Sequence, residues 1–388
     1  MQAIDRSMTI AMVAGEASGD NLGASLMRQL RLKAPDIVFI GVGGSAMLGE
    51  GLDSLVDMDR LSVNGFVDPI LRLPELIRIL VKIRNRILES GADCFVGIDS
   101  NFFNILLAGM LRPRGVKTVQ YVSPTVWAWR SGRIRRIKRN VDLMLTLFPF
   151  EEAVYLEHGI PVAFVGHPKA AEIDPEEGIA ERSAARAALL LPDDASVVAV
   201  LPGSRSSEVD TSGRDFFAAA SLLKHRVDMF LVPAANDQRQ AQITQLLNDY
   251  PDLEASVRVL SGDSRTAMTA ADVVLANSGT ATLEAMLLKR PMVMSYRIGR
   301  ISYLIVSSLV RVKWFALPNI LADKMLVPEL VQDNADPQQL AQALDTLLEA
   351  ENTAELLREF DEIHHRLRKD ESAAAVEILK LCGVNVPS

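Results

Sequence analysis

Cysteine is scarce in this chain. Its 388 residues hold two, Cys94 and Cys382, far apart and at no metal or redox spacing. Cys94 lies in an apolar strand pattern and reads as plain core. Long apolar runs are missing too: none approaches the ~18 residues of a membrane-spanning helix. The first apolar run, residues 8–14, is too short for the core and cleavage site of a signal peptide, so a cytoplasmic chain is expected. A net charge of −8 argues against a general nucleic-acid binder. There are no internal repeats, no low-complexity tracts and no metal motif. A strict G-x-G-x-x-G is absent, and no acidic residue closes the second strand, so a nicotinamide site is weakly supported.

What remains is an ordinary globular composition, 49% hydrophobic, in a chain long enough for two domains. Short apolar runs alternate with helical patterns, which predicts parallel α/β sheets. Strands are expected at residues 9–14, 37–40, 93–98, 119–124, 143–147 and 162–165. A second set follows at 197–201, 229–233, 257–260 and 273–276. Residues 41–44 read as a second glycine turn, and the acidic stretch 170–181 as a linker. The domains expected are 1–169, for an acceptor and a membrane surface, and 170–350, for a donor. Residues 351–388 are expected to form closing helices, packed back on the first domain or on a partner subunit.

Residues 271–295 organise this pattern. A buried strand ends in Asn277-Ser278-Gly279-Thr280, a helix starts near Thr280, and Pro291 stops it. A tight Gly/Ser/Thr turn at a helix N-terminus presents free N–H groups and a positive dipole end to an anion. Glu284, one turn further on the same face, would repel a phosphate but accept hydrogen bonds from a sugar diol. Together they suggest a nucleotide; an ordinary capped strand–helix turn is the competing reading. Pro202-Gly203-Ser204-Arg205 adds a glycine turn with a forked, permanent cation.

In the first half, Asp99 follows an apolar strand, where open α/β sheets bind ligands. It reads either as a chemical group or as a helix cap. Residues 61–88 interleave Leu, Ile and Val with basic residues. From Pro74 on they fit a core-facing surface helix or an interfacial one, while 61–67 are apolar without clear amphipathicity; Phe66, Leu76, Ile77 and Leu80 are the membrane-facing candidates. Residues 130–139 are the densest positive cluster, read as a solvated helix face or a surface for anionic lipid or phosphate.

The ordered motifs extend this reading. Residues 15–20 (Gly-Glu-Ala-Ser-Gly-Asp), 97–100 (Gly-Ile-Asp-Ser), 121–130, 148–151, 166–168 (Gly-His-Pro), 201–205, 278–284 and 317–319 (Leu-Pro-Asn) resemble the lipid-A-disaccharide synthase family. They span nearly the whole chain, and the ordered set is highly specific. The resemblance implies the GT-B arrangement, two Rossmann-like domains facing a cleft, with no cofactor because the UDP-sugar is a substrate. It implies transfer from UDP-2,3-diacylglucosamine to 2,3-diacylglucosamine 1-phosphate, giving a β-1,6 disaccharide and UDP. The expected location is peripheral, on the cytoplasmic face of the inner membrane, with a homodimer as an open option. Arg205, Ser278, Gly279 and Thr280 would hold the diphosphate, Glu284 the ribose, and Asn319 would help build the donor site. Asp99 would be the base; Glu16, Ser18, Asp20, Trp129, Arg130 and His167 are candidates for the acceptor side. Two departures stand out. Asn101-Phe102 replaces the usual Pro-Asp, removing an auxiliary carboxylate, and Lys169 replaces an aliphatic residue. A UDP-sugar 2-epimerase on the same fold is the main rival.

Overall fold

The computed structural model describes residues 7–61, 73–124, 132–298, 313–349 and 353–385. Phe66, Trp129 and Arg130 lie outside these, as do residues 299–312. The chain divides into two units, one of residues 1–171 with 367–388 and the other of residues 172–366.

In the first unit, strands β1 (Thr9–Ala14), β2 (Val38–Val42), β3 (Asp53–Ser54), β4 (Cys94–Ile98), β5 (Lys117–Tyr121), β6 (Leu143–Thr146) and β7 (Val162–Phe164) form one parallel sheet. Its order is β3-β2-β1-β4-β5-β6-β7. β1 and β4 are buried along their whole length, because helices cover both faces. That burial is why their sequences run continuously apolar instead of alternating. Leu26, Met27 and Leu30 of helix Ala17–Lys33 pack on one face, with Ile378 and Leu379 of the C-terminal helix Ala373–Leu381. Ile79, Leu80, Ile83 and Ile87 of helix Leu73–Glu89 pack on the other, with Leu107 and Leu111 of helix Asn101–Leu111.

The second unit repeats the plan. Strands β8 (Val197–Leu201), β9 (Met229–Ala234), β10 (Val257–Ser261), β11 (Val273–Asn277), β12 (Met292–Tyr296) and β13 (Glu329–Val331) form a parallel sheet of order β10-β9-β8-β11-β12-β13. Helices Ser206–Leu223 and Pro337–Leu348 press Phe216, Phe217, Leu340 and Leu344 into its core. In both sheets the strand order reverses once, between β1 and β4 and between β8 and β11. Loops leaving the carboxyl ends of those strands border the crevice where doubly wound folds bind ligands.

Three expectations need correction. Residues 170–181 are no linker. They fold as short helices within Pro168–Glu172 and Glu177–Ala180, and Arg265 draws in the acidic side chains, bonding Glu172 at 3.0 Å and Glu177 at 2.6 Å. The second strand runs on through Gly41 and Val42, paired with Met12 and Val13, so the glycine turn begins two residues later. Leu80 is 8% exposed and packs in the core, which removes it from any membrane surface, whereas Ile77 on the same helix is 51% exposed. Leu76 is half-buried. Cys94 is core, as expected, and Cys382, remote in the sequence, packs against the same core cluster. The Cys382 thiol, and then burial, push the Cys94 thiol up. Among the described residues, no helix is long and apolar enough to cross a membrane.

Candidate active site

The first unit's switch point is lined by the turns after β1 and β4. Glu16 is the N-cap residue of helix Ala17–Lys33. Glu16 and Ser18 are exposed, but Asp20 is buried. The Asp20 carboxylate accepts N–H bonds from Gly44 at 2.7 Å, Ala46 at 2.9 Å and Met47 at 3.0 Å. It thereby caps helix Ser45–Gly49, so its lone pairs are engaged in holding the fold.

Asp99 opens the turn after β4. Asp99 and Ser100 both adopt left-handed backbone, at φ 49° and 39°. Outside glycine this conformation costs roughly 1–2 kcal/mol per residue, and such strain tends to collect at functional sites. Ser100, and not Asp99, is the N-cap of helix Asn101–Leu111, so the cap reading of Asp99 fails. Burial raises the Asp99 carboxyl above the usual carboxylate range, and the nearby negative charge of Glu16 raises it further. Glu16 therefore stands beside Asp99 as a carboxylate neighbour, although Asn101-Phe102 lacks the family's usual one.

His167, after β7, tilts against the Phe148 ring with centroids 5.2 Å apart. Its Nδ1 accepts the Lys169 N–H at 3.1 Å, which leaves the proton of the neutral ring on Nε2. Burial, then the Lys169 charge, lowers its pKa to about 4. At neutral pH the ring is an uncharged N–H donor, poorly suited to accept a proton.

The second unit's switch point joins the turns after β8 and β11. Asn277, buried at the end of β11, donates to the Pro202 carbonyl at 3.3 Å and accepts the Ser278 N–H at 3.1 Å. One side chain thus ties both turns together. Gly279 precedes helix Thr280–Leu287 at φ 149°, and a Cβ there would project into open space. A ligand can therefore approach the backbone closely at the end where the helix's first N–H groups emerge. Thr280 is exposed and Glu284 half-buried one turn on.

Arg205 is 81% exposed and heads helix Ser206–Leu223. The Glu208 carboxylate accepts the N–H groups of Ser204 at 3.0 Å and Arg205 at 3.1 Å, and pairs with the guanidinium at 3.2 Å. Glu208 therefore already fills the anion position expected of this glycine turn, which leaves the guanidinium as the element that reaches outward. Tyr296, at the end of β12, is half-buried, and the charges of Glu208 and Arg205 both act on its hydroxyl. The sequence marks Asn277 only as part of the turn and gives Glu208 and Tyr296 no role; the glutamate's position three residues after Arg205 is the one signal, as half of a capping box.

Asn319 is fully buried and presents no polar atom to a ligand. Its Oδ1 accepts Leu326 N–H at 2.7 Å and Val327 N–H at 2.9 Å, while its Nδ2 donates to the Val327 carbonyl and to Glu329. Glu329 in turn accepts the Phe315 and Ala316 N–H groups. The Phe315 carbonyl receives the Ser278 hydroxyl at 3.5 Å, so Asn319 supports the Ser278 turn from behind.

The family model described as lipid-A-disaccharide synthetase matches residues 10–379. A lipid-A-disaccharide synthase of Saccharophagus degradans is 49% identical over 373 residues, covering 95% of each chain. Among solved structures, MurG of Acinetobacter baumannii aligns with a TM-score of 0.62 at 15% identity, over 97% of this chain and 100% of that one. A UDP-GlcNAc 2-epimerase of Neisseria meningitidis aligns with a TM-score of 0.58 at 12% identity, over 96% and 99%. Both structural likenesses concern the fold alone, which is GT-B; the sequence match decides between transferase and epimerase. With a family model spanning nearly the whole sequence and a curated relative at this identity, the chain belongs to the lipid-A-disaccharide synthases, a family of glycosyltransferases.

Proposed function

We propose that the chain transfers the acylated glucosamine of UDP-2,3-diacylglucosamine to the 6-hydroxyl of 2,3-diacylglucosamine 1-phosphate, with Asp99 as general base. The observation that carries this reading is Asp99 itself: a strained, partly buried carboxylate at a switch point, its pKa raised by burial and then by Glu16. A base works best with a pKa near the working pH. In the step, the acceptor oxygen bonds to the anomeric carbon, its proton passes to Asp99, and the bond to UDP breaks. An α-linked donor then yields a β product by inversion. Negative charge growing on the leaving diphosphate is met by the helix N-terminus at Ser278-Gly279-Thr280 and by Arg205. Glu284 accepts hydrogen bonds from the ribose. Mass spectrometry of a reaction with both purified substrates tests the whole reading: disaccharide 1-phosphate with UDP supports it, while an epimerised UDP-sugar without acceptor turnover discards it.

The donor half is tested separately. Arg205→Ala is expected to weaken UDP binding by ~1.5–3 kcal/mol, the worth of a hydrogen bond to a charged group. Calorimetry giving wild-type affinity would remove Arg205 from the site.

The acylated substrates favour a peripheral chain on an anionic membrane. Ile77 and Phe102 are 51% and 65% exposed, and Arg136 lies over the Phe102 ring at 6.0 Å. Arg133, Arg135, Arg136, Lys138 and Arg139 are exposed on helix Gly132–Asn140, while Ile134 and Ile137 anchor it inward. The double variant Ile77→Ser/Phe102→Ser is expected to lose tenfold or more in sedimentation with anionic liposomes, because a fully buried apolar side chain is worth ~1.5–3 kcal/mol. Its melting temperature should stay near wild type. Unchanged sedimentation would move the membrane surface elsewhere.

A further inference from the structure

Strain at the first switch point extends beyond Asp99 and Ser100. Val122, just past the end of β5, takes φ 77°, an outlier for a β-branched residue. β4 and β5 are adjacent, so the two strained turns stand side by side.

Two buried amides hold them. Asn104, 0% exposed, donates from Nδ2 to the carbonyls of Asp99 at 3.0 Å, Val13 at 3.1 Å and Ile98 at 3.2 Å. Gln120, 1% exposed, donates from Nε2 to the same Asp99 carbonyl at 3.0 Å and to that of Val122 at 3.4 Å. Gly97 leaves the space they need: a Cβ there would stand 2.6 Å from Asn104 Cβ and 2.8 Å from Gln120 Oε1. On its other side, Asp99 donates its own N–H to the Tyr121 carbonyl at 2.9 Å. Both peptide planes flanking the Asp99 Cα are therefore anchored, which fixes the direction of its Cα–Cβ bond.

We infer that Asn104 and Gln120 are positioning residues, whose shared grip on the Asp99 carbonyl keeps that carboxylate aimed for proton transfer. The inference rests on Asp99 being the base. Side chains that satisfied buried carbonyls and did nothing more would leave the proton-transfer step unaffected by their loss, beyond any general loosening of the fold.

A double-mutant cycle separates these cases. Gln120→Met keeps the length of the side chain without its donors. In the otherwise wild-type chain it is expected to lower kcat by about 10–100-fold with KM for the UDP-sugar unchanged, because a displacement of about 1 Å can cost 10²-fold in rate. In the Asp99→Asn background it is expected to change kcat by less than about twofold. The acid limb of the pH–rate profile should also move down toward the ordinary carboxylate range as the carboxyl gains solvent. Asn104→Asp, with the same shape but acceptors in place of donors, repeats the cycle if Gln120→Met does not fold. Equal losses in both backgrounds would reduce the amides to a structural role and overturn the inference. So would wild-type kcat in both amide variants alongside a crippled Asp99→Asn. Asp99→Asn turning over at the wild-type rate would instead remove the base assignment, and with it the function given to the amides.

Discussion

Asp99→Asn is expected to lower turnover by about 10²–10⁴-fold, the range a general base contributes, while UDP affinity stays at the wild-type level. The amide keeps the size of the carboxylate and most of its hydrogen bonding but cannot take the acceptor's proton. Capping cannot explain such a loss, since Ser100 and not Asp99 occupies the N-cap. Stability should move the other way. The Asp99 pKa is raised in the folded chain, mainly by burial and further by Glu16, so the folded state holds this proton more tightly than the unfolded one. The stabilising contribution is then full below the ordinary Asp pKa and disappears as pH rises through the folded value. At neutral pH the ionised group is a liability, and Asn should melt slightly higher than wild type. That gain should vanish in acid. Wild-type activity for kcat/KM should climb along an acid limb set above the ordinary carboxylate range. Near-wild-type turnover in the variant would transfer the role elsewhere, and Glu16 would be the first candidate, since His167 is a neutral donor there.

The parts of this arrangement that sequence reading could reach are those written locally. β4 and β11 announce themselves as apolar runs ending in a polar turn, because a strand buried on both faces has no alternation to disguise it. Position alone therefore puts Asp99 and Ser278 just past the carboxyl ends of their strands. β3 and β13 are two and three residues long, too short to leave a periodic signal. The apolar face of helix Leu73–Glu89 is broad enough that Leu80 and Ile77 look alike, and only packing sends one inward and leaves the other in water. Charges in residues 170–181 look solvated until Arg265, remote in the chain, is folded against them. Gln120 sits inside an apolar strand and Asn104 inside an apolar helix, with no local mark of function. Their meaning lies in a carbonyl they share, and Asn104 is further joined to the end of β1.

Asn319 puts the difference between lining a site and supporting it to a measurement. Asn319→Leu keeps the approximate volume and removes every hydrogen-bonding atom. It leaves the N–H groups of Leu326 and Val327 without their acceptor, and takes a donor each from the Val327 carbonyl and Glu329. An orphaned buried polar group costs ~1–3 kcal/mol, and with several affected together a loss of about 3 kcal/mol is a conservative expectation. At roughly 2–4 °C per kcal/mol for a unit of this size, the melting midpoint should fall by roughly 6–12 °C. If UDP meets the Ser278 turn and not this side chain, as proposed, it should still bind the folded variant. A residue that touched the nucleotide would give the opposite pattern, an intact melt with a weakened ligand. Glu329→Gln offers the check from the other partner: it retains one oxygen for the Phe315 and Ala316 N–H groups, so it should destabilise less than Asn319→Leu. If Asn319→Leu melts with wild-type cooperativity and midpoint yet loses UDP, Asn319 belongs in the binding surface and does not act as a support behind the Ser278 turn.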